Sequence, residues 1–268
     1  MMTFGRFLLF LLVPILWLAW RERRTLTPPY LLTVLGVAFG SVLYTAPWDN
    51  WLIVHHVWWF DWNRCWGLAV GALPVEELLF YVLIITLAGL WTHFLYEQWK
   101  PVFGPTPKRP ELKYYPASIV MLLWLADAYY LIHLTTIWPK AVFLAQCLII
   151  TLPALAIQCL VCGDLLWHRR KFAFFATLPV GLWLTLTAGT STFGTDLWTV
   201  NPQYSFWRVP GLLPVEMLLF YQLAAALMVL PATTLVAVDH EYFQDALNRL
   251  GKLVPTSRKV KPSPEKRA

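Results

Sequence analysis

Polar positions along this chain come in bunches, and between them lie stretches in which almost every residue is apolar. These stretches run approximately over residues 4–20, 29–46, 72–96, 115–135, 141–162, 172–189 and 211–237. A helix crossing a bilayer needs roughly 20 mostly apolar residues, because the hydrocarbon layer is about 30 Å thick and a helix rises about 1.5 Å per residue. The pattern therefore predicts an all-α integral membrane protein with about seven transmembrane helices. The first run is followed at once by Arg21-Glu22-Arg23-Arg24 and shows no small-residue cleavage site, so it is expected to be a retained helix and not a removed signal peptide. Composition agrees with this: 58% of the 268 residues are hydrophobic and only 13% are charged, with a mean hydropathy of +0.55.

Charge adds an orientation. Lys and Arg near span ends favour the cytoplasmic side. One set of alternate loops, together with the segment from Arg249 on, holds 17 of the 21 basic residues, while the other holds only Arg6, Arg64, Lys140 and Arg208. The expected topology has the N-terminus outside and the C-terminus in the cytoplasm. The net charge of +6 then comes from these loops and from a basic tail at residues 239–268, expected to be disordered at its end. It calls for no nucleic-acid partner; the expected partners are the lipid bilayer and a lipophilic substrate, with homo-oligomerisation left open.

Within this apolar background one phrase is written twice: Leu73-Pro74-Val75-Glu76-Glu77-Leu78-Leu79-Phe80-Tyr81 and Leu213-Pro214-Val215-Glu216-Met217-Leu218-Leu219-Phe220-Tyr221. The copies differ only at Glu77 and Met217, and the shift that carries Glu76 onto Glu216 also lands the first two spans on the fifth and sixth. The chain reads as a first repeat at 1–99, a linker and linking helix at 100–140, and a second repeat at 141–238. One linking helix keeps the two three-helix repeats parallel, so both motifs should meet at one membrane face. Each motif also has a plain structural explanation, since proline suits the first turn of a helix and an acid there suits the helix dipole. Recurrence of the whole phrase, with an ionisable group inside a membrane helix, favours function.

Desolvation favours the neutral form of a membrane-buried carboxyl, and a second carboxyl nearby lets one hold a proton while the other receives one. Glu76 and Glu216 are the candidates for that acid/base pair, with Glu77 an addition on one side only. Aromatic residues are abundant, with 16 Trp, 11 Tyr and 16 Phe. The segment expected to loop between the second and third spans is the densest, with Trp48, Trp51, Trp58, Trp59, Phe60, Trp62 and Trp66. Interfacial anchoring accounts for part of this; ring faces also stabilise positive charge, such as arises when a proton is added to an alkene.

The two Pro-Val-Glu motifs, with Pro47-Trp48-Asp49-Asn50 ahead of the first, resemble the paired domains of the membrane-bound carotenoid cyclase family, the lycopene cyclases found as two subunits or as fused chains. The likeness spans roughly residues 4–237. It implies a prenyltransferase-like bundle and conversion of lycopene to γ-carotene and β-carotene without net redox change and without a cofactor. The resemblance points to Glu76, Glu216, Glu77 and Asp49 as catalytic and to Trp48, Phe80, Tyr81, Phe220 and Tyr221 as substrate-binding. Met217 departs from the double acid of such motifs, and the second half has no Pro-Trp-Asp, only Asp196 in the corresponding loop.

Other candidates are weaker. Cys159 and Cys162 are spaced like half a metal site but lack a second pair, and His55-His56 cannot share a helix face; no metal is expected. Asp127 and Asp164 suit contacts between helices, and Gly36 with Gly40 suits close packing or dimerisation. No Gly-x-Gly-x-x-Gly occurs. A prenyltransferase would need paired aspartates at a spacing this chain lacks, and a retinal protein would need a lysine in the last span. A proton-coupled transporter is the alternative that fits parallel repeats with paired acids.

Overall fold

Each apolar run becomes a helix. The computed structural model describes residues 3–100, 110–191, 197–206 and 213–237. Among them, seven helices are long and apolar enough to cross a membrane: α1 (Phe4–Glu22), α2 (Pro28–Val54), α3 (Val75–Trp99), α4 (Tyr114–His133), α5 (Val142–His168), α6 (Arg170–Ser191) and α7 (Val215–Ala237). The elements α1 to α7 belong to one unit, Met1–Val236. The tail at 239–268, Asp196 and Arg208 lie outside the described residues.

Local chemistry sets the helix ends. Thr3 and Thr27 cap α1 and α2, their hydroxyls accepting from the N–H groups of Arg6 and Tyr30 at 3.4 Å each, and Pro28 starts α2 where a missing N–H costs nothing. Prolines are carried inside α1, α2, α5, α6 and α7, as membrane helices tolerate. α3 is the most buried of the seven, while α2 and α4 turn most of their apolar side chains outward.

Two expectations change here. The Pro47-Trp48-Asp49-Asn50 segment, with Trp48 and Trp51, is not in a loop: α2 continues through Pro47 to Val54. The polar residues that read as a helix stop have partners far along the chain, described below. Gly36 and Gly40 meet no close packing, since a methyl added to either would find no atom within 4 Å. The tight approaches of helical glycines are instead at Gly5 against Trp66, Gly89 against Val34, Gly163 against Lys113 and Gly181 against Gln222. Cys159 and Cys162 are half-buried, and Cys162 sits at a break in α5 with φ −131° and ψ 15°.

Between α2 and α3 the chain forms β1 (Trp58–Phe60), then β2 (Ala69–Val70) and β3 (Leu73–Pro74), which pair as a small hairpin. A fourth strand, β4 (Trp198–Val200), precedes α7 and pairs antiparallel with β1. The register is Trp58 with Val200, Trp59 with Thr199 and Phe60 with Trp198. The middle pair has the same separation along the chain as Glu76 and Glu216. Beneath this ladder lies an aromatic core, in which the Trp198 ring centroid is 5.5 Å from those of Phe4 and Phe80 and 5.6 Å from that of Phe7.

Candidate active site

A groove opens between α2, α3, α5 and α7 and extends from the start of α3 toward the far ends of the helices. It contains about 950 Å³ of empty space, its mouth included. At the motif end its walls are rings: Trp48, Trp58, Phe80, Phe220, Tyr221 and Trp198. Further along, α2 contributes Val37 and Ser41, α5 contributes Ile150 and Gln158, and α7 runs from Met217 to Pro231. That stretch of α7 is about 20 Å long at the helical rise per residue. All five residues expected to bind substrate, Trp48, Phe80, Tyr81, Phe220 and Tyr221, come together on this one surface. A second groove, lined by Pro14, Trp17, Leu18, Leu87, Trp91, Pro179, Val180 and Trp183, contains no ionisable group.

Acid enters the first groove through Glu77. It faces the same side of α3 as Phe80 and Tyr81, because residues three and four apart share a helix face. Tyr81 donates its hydroxyl to the Oδ2 of Asp49, which α2 delivers from one turn before its end, and Glu77 lies against the same hydroxyl. Asp49 is 0% exposed and Glu77 1%. The Oδ1 of Asp49 and the Oε2 of Glu77 have no hydrogen-bond partner among the described residues. The groove lining contains no Lys, Arg or His. Two buried carboxyls and one phenol thus meet at this end of the groove, and among the described residues no cation lines it.

Glu76 and Glu216 are buried too, at 0% and 3% exposure, but neither lines the groove. Glu76 Oε1 accepts the backbone N–H of Trp66. Glu216 Oε1 accepts the backbone N–H of Phe206, and its Oε2 accepts the Ser205 hydroxyl at 3.3 Å. In both cases the backbone donor is ten positions upstream. Met217, at the position equivalent to Glu77, lines the groove as an apolar residue.

The loop ahead of α3 is tied down at several points. Val75 N–H reaches Leu68 O at 3.0 Å, and Ala72 N–H reaches Asn50 Oδ1 at 2.6 Å. Gly71 has φ +67°, and a Cβ there would lie 2.5 Å from Asn50 Oδ1, so only glycine fits. Pro47-Trp48-Asp49-Asn50 thus divides its work: Trp48 walls the groove, Asp49 takes the Tyr81 hydroxyl, and Asn50 holds the hairpin. Beside them, burial followed by the charges of Glu76, Glu77 and Asp61 pushes the Cys65 thiol up to about 12.

His55 stacks on Trp51 at 4.1 Å and bonds its carbonyl, away from the groove lining. Asp127 is buried on α4, with its Oδ2 unpartnered among the described residues. Sequence reasoning did not single out Asn50, Trp198 or Gln158 as site residues. The shift between the two motifs would have found Trp198, since it carries Trp58 onto that position.

The chain is similar to the lycopene beta-cyclase of Halobacterium salinarum, with 30% identity over 190 residues that make up 68% of this chain and 73% of that relative. The chain belongs to the lycopene cyclase family. It is also 26% identical over 189 residues to a bifunctional lycopene cyclase/phytoene synthase of Blakeslea trispora, covering 68% of this chain and 30% of that longer protein. A bifunctional lycopene cyclase/phytoene synthase of Phycomyces blakesleeanus is 23% identical over 201 residues, 72% of this chain and 32% of that protein. No family model matches the chain, and no solved structure gives a significant match. As a member of this family it is an enzyme of the intramolecular lyase or isomerase type, built on seven apolar helices as a multi-pass membrane protein.

Proposed function

We propose that the ring-lined groove takes one linear end of lycopene and closes it to a β-ionone ring, giving γ-carotene after one end and β-carotene after both. The observation that carries this reading is the acid pair of Glu77 and Asp49, bridged by Tyr81, at the aromatic end of an apolar groove with no basic residue in its lining. A polyene end has no polar handle, so shape and apolar burial must hold it, and the length of the groove along α7 suits a chain lying beside the helix.

In the proposed reaction Glu77, in its neutral form, gives its proton to the terminal double bond at the less substituted carbon. The tertiary cation that forms is attacked by the next double bond along the chain, which closes a six-membered ring and moves the positive charge into it. Loss of the adjacent ring proton to the Glu77 carboxylate restores the acid and leaves the ring double bond. One proton enters and one leaves, so the mass is unchanged and no electron carrier is needed. Tyr81 steadies the transient carboxylate with its hydroxyl, Asp49 takes up the hydroxyl otherwise, and the faces of Trp48, Trp58 and Phe220 stabilise the cation.

The repeat reading supports the same picture: two parallel three-helix halves joined by α4, meeting at the ladder of β1 and β4, with the N-terminus outside and the C-terminus cytoplasmic. A reporter active only outside the cytoplasm, fused after Ala268, should stay silent.

The test is expression in a bacterial host that accumulates lycopene, with pigments separated by chromatography and read by absorbance and mass. The expected products keep the mass of lycopene and have shortened chromophores, and Glu77→Gln lowers their yield by a factor of about 100 or more, the usual share of a general acid. Unaltered lycopene beside wild-type protein in the membrane would overturn the assignment.

A further inference from the structure

The two glutamates that the motif repeats, Glu76 and Glu216, are not the residues the groove displays. Each is buried at the mouth of its helix, each turns Oε1 to a backbone N–H, and each donor belongs to the residue ten positions upstream, Trp66 for one and Phe206 for the other. Each motif has its own copy of this arrangement, with the same carboxyl oxygen, the same spacing and the same kind of donor. The groove-facing position that follows is occupied differently, by Glu77 in one copy and Met217 in the other. A group needed once for chemistry has no reason to recur in a half whose neighbouring position is apolar. A group needed to hold a loop recurs wherever the loop does.

We propose that Glu76 and Glu216 are a matched pair of positioning residues, each pinning the segment ahead of its helix so that the rings it carries close the groove, while Glu77 is the catalytic carboxyl. The inference rests on the cyclase reading of the same groove. The pinned segments include β1 and β4, whose Trp58 and Trp198 form groove walls and whose ladder joins the two loops. Glu76 also works with the bonds that Val75 and Ala72 donate to Leu68 O and Asn50 Oδ1, and Glu216 with the Ser205 hydroxyl. Ser205 stands ahead of Glu216 as Cys65 stands ahead of Glu76, and the Cys65 sulfur bonds Asp61 O at 3.7 Å, so the pins differ in detail and match in the backbone bond. In chemical terms, the pins exclude water. A cation formed beneath a loosened cap would add water, with one proton of that water returning to the Glu77 carboxylate, and would leave the enzyme as an acyclic tertiary alcohol.

Gln separates the two roles, because its carbonyl oxygen still accepts an N–H while it cannot supply a proton. Glu76→Gln and Glu216→Gln are expected to keep cyclisation within about threefold of wild type, the modest cost of exchanging one oxygen acceptor for another, with an unchanged pH profile. Glu76→Leu and Glu216→Leu are expected to lower ring formation and to yield a pigment heavier by one water with the lycopene chromophore retained, measured in the same lycopene-accumulating host. Loss of cyclisation in either Gln variant to the level of Glu77→Gln, with protein present in the membrane, would overturn the proposal, as would Leu variants with wild-type products. Should the Leu variants fail to accumulate, the Gln pair decides alone. If the wild-type chain itself leaves lycopene unchanged, the cyclase reading has failed and not the pinning.

Discussion

Tyr81 and Tyr221 occupy the same place in the two copies of the motif, and removing the hydroxyl from each should have opposite effects. Both rings line the groove and both side chains are buried, at 7% and 2% exposure. Tyr81 donates to Asp49, whereas the Tyr221 hydroxyl has no partner among the described residues. Tyr81→Phe therefore removes a hydrogen bond to a buried acid and leaves that acid without a donor, a loss of about 2 kcal/mol. Tyr221→Phe removes a hydroxyl that is desolvated and receives nothing in return, a gain of about 1 kcal/mol. In a chain of this size each kcal/mol moves the melting temperature by roughly 3 °C, so the two variants should separate by about 9 °C in a detergent melting assay, on either side of wild type. Cyclisation should fall about a hundredfold for Tyr81→Phe, as for loss of one preorganised donor to a transient anion, and much less for Tyr221→Phe. Shifts of equal sign and size in the two variants would refute the claim that the bridge between Asp49 and Glu77 is what distinguishes one half from the other.

The loop that covers α3 offers further tests. Gly71→Ala places a methyl group 2.5 Å from Asn50 Oδ1 at φ +67° and should cost about 2 kcal/mol with a parallel fall in ring formation, while Gly36→Ala, with no atom within 4 Å, should change melting by less than about 1 kcal/mol. Met217→Glu, at a site 1% exposed, sets an unpaired acid into the groove wall and should destabilise by more than about 3 kcal/mol, seen as a lower melting temperature and lower yield. Cys65, with its thiol pushed up to about 12 by burial and nearby acids, should react with a soluble maleimide at pH 8 roughly a thousandfold more slowly than an ordinary thiol, the rate rising with pH until the thiolate forms; a rate like that of free cysteine would contradict the buried, acid-flanked setting.

The seven spans were legible because a bilayer demands apolar length and the chain supplies it in seven uninterrupted runs. The end of α2 was not legible. Pro47, Asp49 and Asn50 look like a stop because their partners, Tyr81 for Asp49 and Ala72 for Asn50, lie 32 and 22 residues ahead and no local pattern discloses them. The Pro-Val-Glu motifs themselves were visible; which of their residues face the groove was not. Repetition drew attention to Glu76 and Glu216, the residues common to both copies. Helical phase offered a different clue that repetition hid, since Glu77 shares its face with Phe80 and Tyr81 while Glu76 is turned about 100° away. Trp198 was lost for a related reason: its importance comes from packing against Phe4, Phe7 and Phe80, contacts that join separate elements.

Duplication and chemistry pull in different directions, and this chain lets each have its own residues. The ladder of β1 and β4 has its centre at Trp59 and Thr199, positions that the shift between the motifs makes equivalent, and the donors Trp66 and Phe206 stand at the same spacing ahead of Glu76 and Glu216. A second Glu at the position of Met217 would put another carboxyl into the wall of a groove that no cation lines among the described residues, a costly burial. With Met217 in that place, Glu77 is the single acid in the described lining. In the proposed scheme the glutamates common to both motifs hold the loops, and the one position where the motifs differ serves the reaction. Under the proposed reaction, a symmetric polyene meeting an asymmetric groove presents its two ends in turn to the same Glu77, so loss of this one residue should suppress the first ring and the second alike.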